Sequence, residues 1–305
     1  MDSLKADGAD FIKVYSWLSR DAFLAIAGEA NKLKIPFAGH VPFSVPALEA
    51  SDAGMKSMEH LHGVVLSCSA REDELRSEML KGGANLPGDD RLRLEMHEAA
   101  ASYDDRKAAP IFAHLAQNKT WQVPTFDVWI PYVRSFDTHV ITDPRLKYIP
   151  PSAQQRWTEE AKSFSGGATR VKTFEKLAEI VGGMQRAGVP ILAGSDASPY
   201  QAYTYAGFSL HDELALLVRS GLTPMESLQT ATINPARFLG MEKDLGTIEK
   251  GKIANLVLLD ADPLADIHNT TKISKVFLAG KEFDRPALDQ MLQDAEAAAK
   301  SAVIN

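Results

Sequence analysis

Cysteine is almost absent from this chain. Cys68 stands alone among 305 residues, so no intrachain disulfide can form and the sequence carries no mark of an oxidising compartment. Long apolar runs are missing too: none reaches the ~18 residues of a membrane-spanning helix. The opening stretch MDSLKADGAD has no charged lead into an apolar core, so no secretory signal is visible and the cytoplasm is the default expectation. There is also no excess of positive charge. Basic residues number 33 against 40 acidic, a net charge of −7, and they are dispersed along the chain. That distribution argues against nucleic acid or a membrane surface as a partner and favours a small-molecule substrate. Repeats and low-complexity tracts are absent, while the 45% hydrophobic content is ordinary for a globular protein with a large core.

What is present is an alternation. FIKVYS, residues 11–16, reads as a strand, and Ser19 can cap a helix whose apolar positions Phe23, Ile26, Ala27, Ala30 and Leu33 fall on one face. IPFAGHV is a second strand, Ser44 to Ala53 a short helix closed by Gly54, and MKSMEHLHG a third strand. Such strand and helix alternation predicts right-handed crossovers and a parallel sheet. Residues 69–118 read as solvent-facing helices inserted into this pattern, with Gly82-Gly83 and Pro87-Gly88 marking a loop. WQVPTF restores the strand pattern. Residues 131–170 contain prolines and a Gly-Gly pair without clear periodicity, which predicts a lid or binding loop. A helical stripe through Val171, Phe174, Leu177, Ala178 and Val181 leads into VPILAGSDASP, a strand expected to be buried on both faces. Thr223 to Glu226 forms a capping box, and Asn234-Pro235 predicts another helix start. ANLVLLD and KISKVFLAGKEF then predict a small antiparallel unit with a tight Ala279-Gly280 turn, followed by an Ala-rich helix from about 286.

The chemistry gathers at strand ends. Four predicted strands end with Lys13, His40, His60 and Asp196. In a (β/α) barrel such ends converge on one pocket. Imidazole and carboxylate donors suit zinc and its first-row neighbours. Lysine is the odd member, because Lys is depleted from strands and an ammonium has no lone pair to offer. Addition of CO2 to the neutral amine would turn Lys13 into a carbamate, a carboxylate made in place.

GADFIKVYS, AGHVP, SMEHLHG and AGSDASP, with SLHDELALLVRSGLTPMESLQTATINPARFLG and LGTIEKGKIANLVLLDADPL, resemble the metal-dependent amidohydrolase superfamily in its imidazolonepropionase and Xaa-Pro dipeptidase-like branch. The resemblance implies an α/β fold, a partial TIM-like (β/α) barrel comprising strands four to eight. A small C-terminal β unit from the family's β-sandwich would follow. The domains would be 1–240, 241–285 and a C-terminal helix at 286–305. Lys13 would be the carbamylated bridging ligand, His40 and His60 the ligands from strands five and six, and Asp196 a metal-touching acid that takes the proton from attacking water. The cofactor would be a divalent metal, zinc foremost, as one or two ions. The family's H-x-H pair from strand one has no counterpart before Lys13, since the H-x-H at His60-Leu61-His62 matches the strand-six motif. The expectation is a truncated form keeping the second metal's site, with its open barrel edges covered by a homo-oligomer or a missing N-terminal segment.

The function implied is hydrolysis of a C–N bond in an amide, cyclic amide or dipeptide-like substrate by metal-activated water. Two alternatives stand beside it: a partner-dependent or non-catalytic fragment, and a Schiff-base lysine enzyme built on Lys13. His62 shares a strand face with His60 and competes with it as ligand. Asp196 could instead cap the next helix, and His211 could support the site or lie on a solvated helix face. Tyr200, Tyr203 and Tyr205 could contact substrate or pack the loop.

Overall fold

The computed structural model describes residues 1–129, 142–163, 167–198 and 200–302. The fold is mixed α/β, with a parallel sheet and a small antiparallel sheet, and it divides into two compact units: residues 1–124 with 172–192, and residues 125–171 with 193–305.

In the first unit, β1 (Ile12–Val14), β2 (Phe37–Gly39), β3 (Ser57–Glu59) and β4 (Trp121–Val123) form a four-stranded parallel sheet in sequence order. Each crossover contains helix, as the alternation requires. Ser19 accepts the backbone N–H of Ala22 and starts the helix Arg20–Leu33, which buries Phe23, Ala27 and Ala30. Gly54, at φ +92°, follows the helix Ala47–Asp52. The expected strand at VPILAGSDASP contracts to a single parallel bridge between Ile191 and Gln122. Gln122 N–H donates to Pro190 and Leu192 N–H to the Gln122 carbonyl, after which the backbone leaves the ladder.

The inserted helices of residues 69–118 are not simply solvated. They bury Leu75, Met79, Leu94, Met96, Ile111, Phe112 and Leu115 together with the carboxylate of Glu95. Their charge-rich composition reflects pairing: Arg76 and Lys107 both reach Glu72, at 2.6 Å each. Residues Arg93–Glu98 form a π-helix, a wide turn that occurs often at functional sites.

In the second unit, the expected irregular segment 131–170 lies partly outside the described residues. Its described part is helical: a 3-10 turn over Pro144–Tyr148, the helix Pro151–Ser163 and the start of Gly167–Arg186. Pro144 and Pro151 occupy first helical turns, where the missing N–H has no partner to lose. The capping box at Thr223 and Glu226 is present. The next helix, Ile233–Leu239, begins after Thr232, which makes no side-chain capping hydrogen bond, so Asn234-Pro235 sits inside its first turn. Strands β5 (Leu256–Leu259), β6 (Ile273–Leu278) and β7 (Lys281–Phe283) form the antiparallel sheet, with Ala279 and Gly280 both left-handed in the turn, and the helix Arg285–Ser301 follows.

A buried acid marks this second unit. Glu213 is fully buried, and its Oε2 accepts the Asp127 backbone N–H at 2.9 Å. Burial holds its carboxyl well above the usual glutamate value of 4.5, with the Asp127 charge adding to the effect. Above pH 4.5 an unfolded chain releases this proton while the folded chain keeps it, so the native state binds more protons and loses stability as pH rises. Glu213→Gln, which mimics the neutral acid, is expected to flatten the decline in unfolding free energy between pH 5 and 8, about 1.4 kcal/mol per pH unit at most for one group. Urea titrations across that range check this. An unchanged slope would show that Glu213 is ionised in the folded protein.

Candidate metal centre

The first unit brings imidazoles and carboxylates to the carboxyl ends of adjacent parallel strands. Lys13 pairs in register with Ala38, and Ala38 with Ser57, so Lys13 and Glu59, two residues beyond Ser57, share one face of the sheet. The Lys13 ammonium forms an ion pair with Glu59 across the intervening strand β2. With side-chain exposures of 45% and 18%, this pair is reachable from solvent at its lysine end.

Gly39 makes the crossing possible. It sits at φ +129°, and a Cβ there would lie 2.3 Å from the Val14 carbonyl oxygen and 3.1 Å from Lys13 Cδ. Backbone cannot yield as a side-chain tip can, so Gly39→Ala is expected to push β1 from β2 at about 2–3 kcal/mol of stability. Chemical denaturation measures the loss, and a cost below 0.5 kcal/mol would mean the strands absorb a methyl group without moving.

His40 follows directly. It is 7% exposed, its ring stacks on Tyr15 at 4.2 Å between centroids, and its Nδ1 lies 2.8 Å from Ser16 Oγ. The Ser16 contact occupies Nδ1 and leaves Nε2 for the cluster. His60 begins the turn after β3 with left-handed backbone at both His60 and Leu61, φ +58° and +62°, and its N–H donates to the Val123 carbonyl at 2.9 Å. This turn keeps His60 beside His40, 4.8 Å between ring centroids. His62 completes a triangle, 4.7 Å from His40 and 5.3 Å from His60.

Burial dominates the electrostatics. It pushes the His40 imidazole down to about 2, with His62, His60 and Lys13 adding repulsion. It pushes His60 to about 3, assisted by His62 and Lys13. Both rings are therefore neutral at physiological pH, with lone pairs to give. Nitrogen and oxygen donors of His40, Glu59 and His60 lie within 4.8 Å of one another, and His60 Nε2 is 3.9 Å from Glu59 Oε2. Two neutral imidazoles and a carboxylate are a donor set that fits a divalent first-row cation.

Of the residues anticipated from sequence, Lys13, His40 and His60 come together here. Asp196 belongs to the second unit, in left-handed backbone at φ +48°. Glu59 was missed, although it stands within SMEHLHG; its signal was its position at a strand end one residue before a candidate ligand. Glu95 was missed because it lies in the stretch read as solvated helix, and no local pattern marks it. His211 is half-buried in the helix Phe208–Arg219, not on a solvated face, and burial lowers its pKa. Tyr203 and Tyr205 are buried with Trp157 while Tyr200 is 70% exposed, so the first two are packing residues.

Residues 171–283 match the amidohydrolase family. Imidazolonepropionase of Thermoplasma volcanium is 37% identical over 103 residues, 32% of this chain and 24% of that protein. Among solved structures, a bottromycin amidohydrolase superposes with a TM-score of 0.74 at 24% identity, over 98% of this chain and 61% of that one. A Xaa-Pro dipeptidase with bound methionine gives a TM-score of 0.55 at 18% identity, over 92% of this chain and 56% of that one. The chain thus spans about a quarter of that curated relative within the match, and under two thirds of these solved chains. Among the described residues, no helix is long and apolar enough to cross a membrane. In residues 171–283 the chain is thus similar to the amidohydrolase family, and its fold is similar to that of the solved bottromycin amidohydrolase.

Proposed function

We propose that the protein is a metal-dependent hydrolase of C–N bonds in amide, cyclic amide or dipeptide-like substrates, in which Lys13, His40 and His60 hold a divalent cation, zinc foremost, and Asp196 accepts the proton of the attacking water. The observation that carries this reading is the pair of buried, neutral imidazoles beside Glu59 and Lys13 at the carboxyl ends of parallel strands, in a chain whose residues 171–283 match the amidohydrolase family. The same reading assigns the partial (β/α) barrel to residues 1–240, the β-sandwich portion to 241–285 and the terminal helix to 286–305.

A bound divalent cation supplies Lewis acidity toward a carbonyl oxygen and toward water. The chain's own residues do the rest. Ser16 and the Tyr15 ring fix the orientation of His40, and burial keeps both imidazoles neutral. Lys13 presents either an ammonium paired with Glu59 or, after CO2 addition to its neutral amine, an anionic carbamate. Carbamate formation removes the positive charge that Glu59 balances, so cation uptake and carbamylation favour each other.

The test loads the full chain with zinc or manganese in bicarbonate and removes loose metal by gel filtration. Elemental analysis and assays with Xaa-Pro dipeptides and N-acyl amino acids follow. About one equivalent of retained cation with hydrolysis of at least one amide class supports the reading. In the same samples, 13C-bicarbonate should give a carbamate NMR signal that Lys13→Arg abolishes. Retention below half an equivalent, with no hydrolysis, overturns it.

A further inference from the structure

We propose that His62 is a third imidazole donor of this cation site, aimed by Glu95 from the π-helix of the inserted segment. The inference rests on the reading that the cluster binds a cation, and goes beyond it in naming a donor set and the element that completes it.

Three observations carry it. The His62 ring lies beside both other imidazoles, at 4.7 Å and 5.3 Å between centroids, next to the His40, Glu59 and His60 donors that lie within 4.8 Å of one another. Its Nδ1 lies 2.6 Å from Glu95 Oε1. A carboxylate accepts, so Nδ1–H donates and Nε2 carries the free lone pair. Glu95 itself is 2% exposed, flanked by buried Leu94 and Met96. Burying a carboxylate costs several kcal/mol unless it is paired, and a carboxylate bound to the far nitrogen of an imidazole is the usual support of a metal-bound histidine.

The π-helix Arg93–Glu98 explains how the partner arrives. An α-helix rotates successive residues by ~100°, whereas a π turn spreads its residues wider and shifts the direction of one side chain relative to its neighbours. His97, two residues on, donates to or accepts from Thr173 Oγ1 at 2.7 Å, and Arg93 pairs with Glu98. These contacts tie the turn at both ends. The inserted segment, charge-rich on its outside, thereby delivers one buried anion to the histidine cluster.

Zinc X-ray absorption on the full chain counts imidazole scatterers directly. The expected count is three in the wild type and two in His62→Ala, with zinc affinity in chelator competition falling at least 10-fold. Glu95→Gln keeps the shape and loses the charge; it is expected to keep all three imidazoles while weakening zinc about 10-fold to 100-fold, with the circular dichroism spectrum unchanged. A count of two in the wild type, or equal affinity in wild type, His62→Ala and Glu95→Gln, overturns the proposal while leaving the two-histidine site intact. A wild-type chain that retains no zinc overturns the underlying reading together with it.

Discussion

His40→Ala is expected to abolish stoichiometric zinc retention and to lower affinity by more than about 100-fold, beyond the cost of losing a supporting residue. His40 is held from several sides: Tyr15 stacks on it, Ser16 holds its Nδ1, and both other rings face it. Burial keeps the ring neutral, and with Nδ1–H donating to Ser16 Oγ the Nε2 lone pair would be available to a cation. Removal deletes that donor and leaves the Ser16 hydroxyl without its imidazole partner, a structural cost of about 1–3 kcal/mol. The two consequences separate experimentally. Chelator competition reads the affinity, while a urea titration of the metal-free protein reads the stability. His40→Gln, which preserves polarity, should restore much of the stability and none of the affinity. If His40→Ala binds zinc as the wild type does, this cluster is not the cation site.

Trp157→Ala should be the most destabilising single truncation in the second unit, about 3–5 kcal/mol. Trp157 is fully buried and packs against Tyr203 at 5.5 Å and Tyr205 at 5.9 Å between ring centroids, with Ala202 completing the cluster. Arg145 lies over the Tyr205 ring at 4.4 Å and pairs with Asp143 at 2.7 Å, so the aromatic group also anchors a charged network at its edge. The cavity cannot collapse easily, because its walls are rigid rings and not flexible aliphatic chains. Trp157→Phe keeps most of the contact area and should lose about half as much. Calorimetry distinguishes loss confined to this unit from global unfolding, which a chain of two units need not share in one transition. A loss under 1 kcal/mol for the alanine variant would show that the aromatic cluster does not carry the unit.

Much of the first unit was legible before folding was considered. Ser19 as a cap, Phe23, Ala27 and Ala30 as a buried stripe, and the strands at Ile12, Phe37, Ser57 and Trp121 all follow from period and cap chemistry, which act within a few residues. The same local logic failed where distant neighbours decide. Charge in residues 69–118 suggested a solvated surface, yet Leu75, Met79 and Met96 are buried there, and charged residues such as Glu72 and Lys107, 35 positions apart, pair between helices of the segment. Proline at 144 and 151 suggested an irregular segment, although at a first helical turn it starts structure.

By itself the sequence determined the alternation of strand and helix, the candidacy of Lys13, His40 and His60 at strand ends, and a net charge of −7. Those properties are sums over neighbouring residues, and the order of residues is enough to evaluate them. Tertiary structure alone decided that Glu59 takes the charge of Lys13, that His62 stands with the other two imidazoles, and that a buried Glu95 supports it. Hydrogen bonds and ion pairs act over a few ångströms. Separations of 46 and 33 residues along the chain hide such contacts until the backbone folds them together.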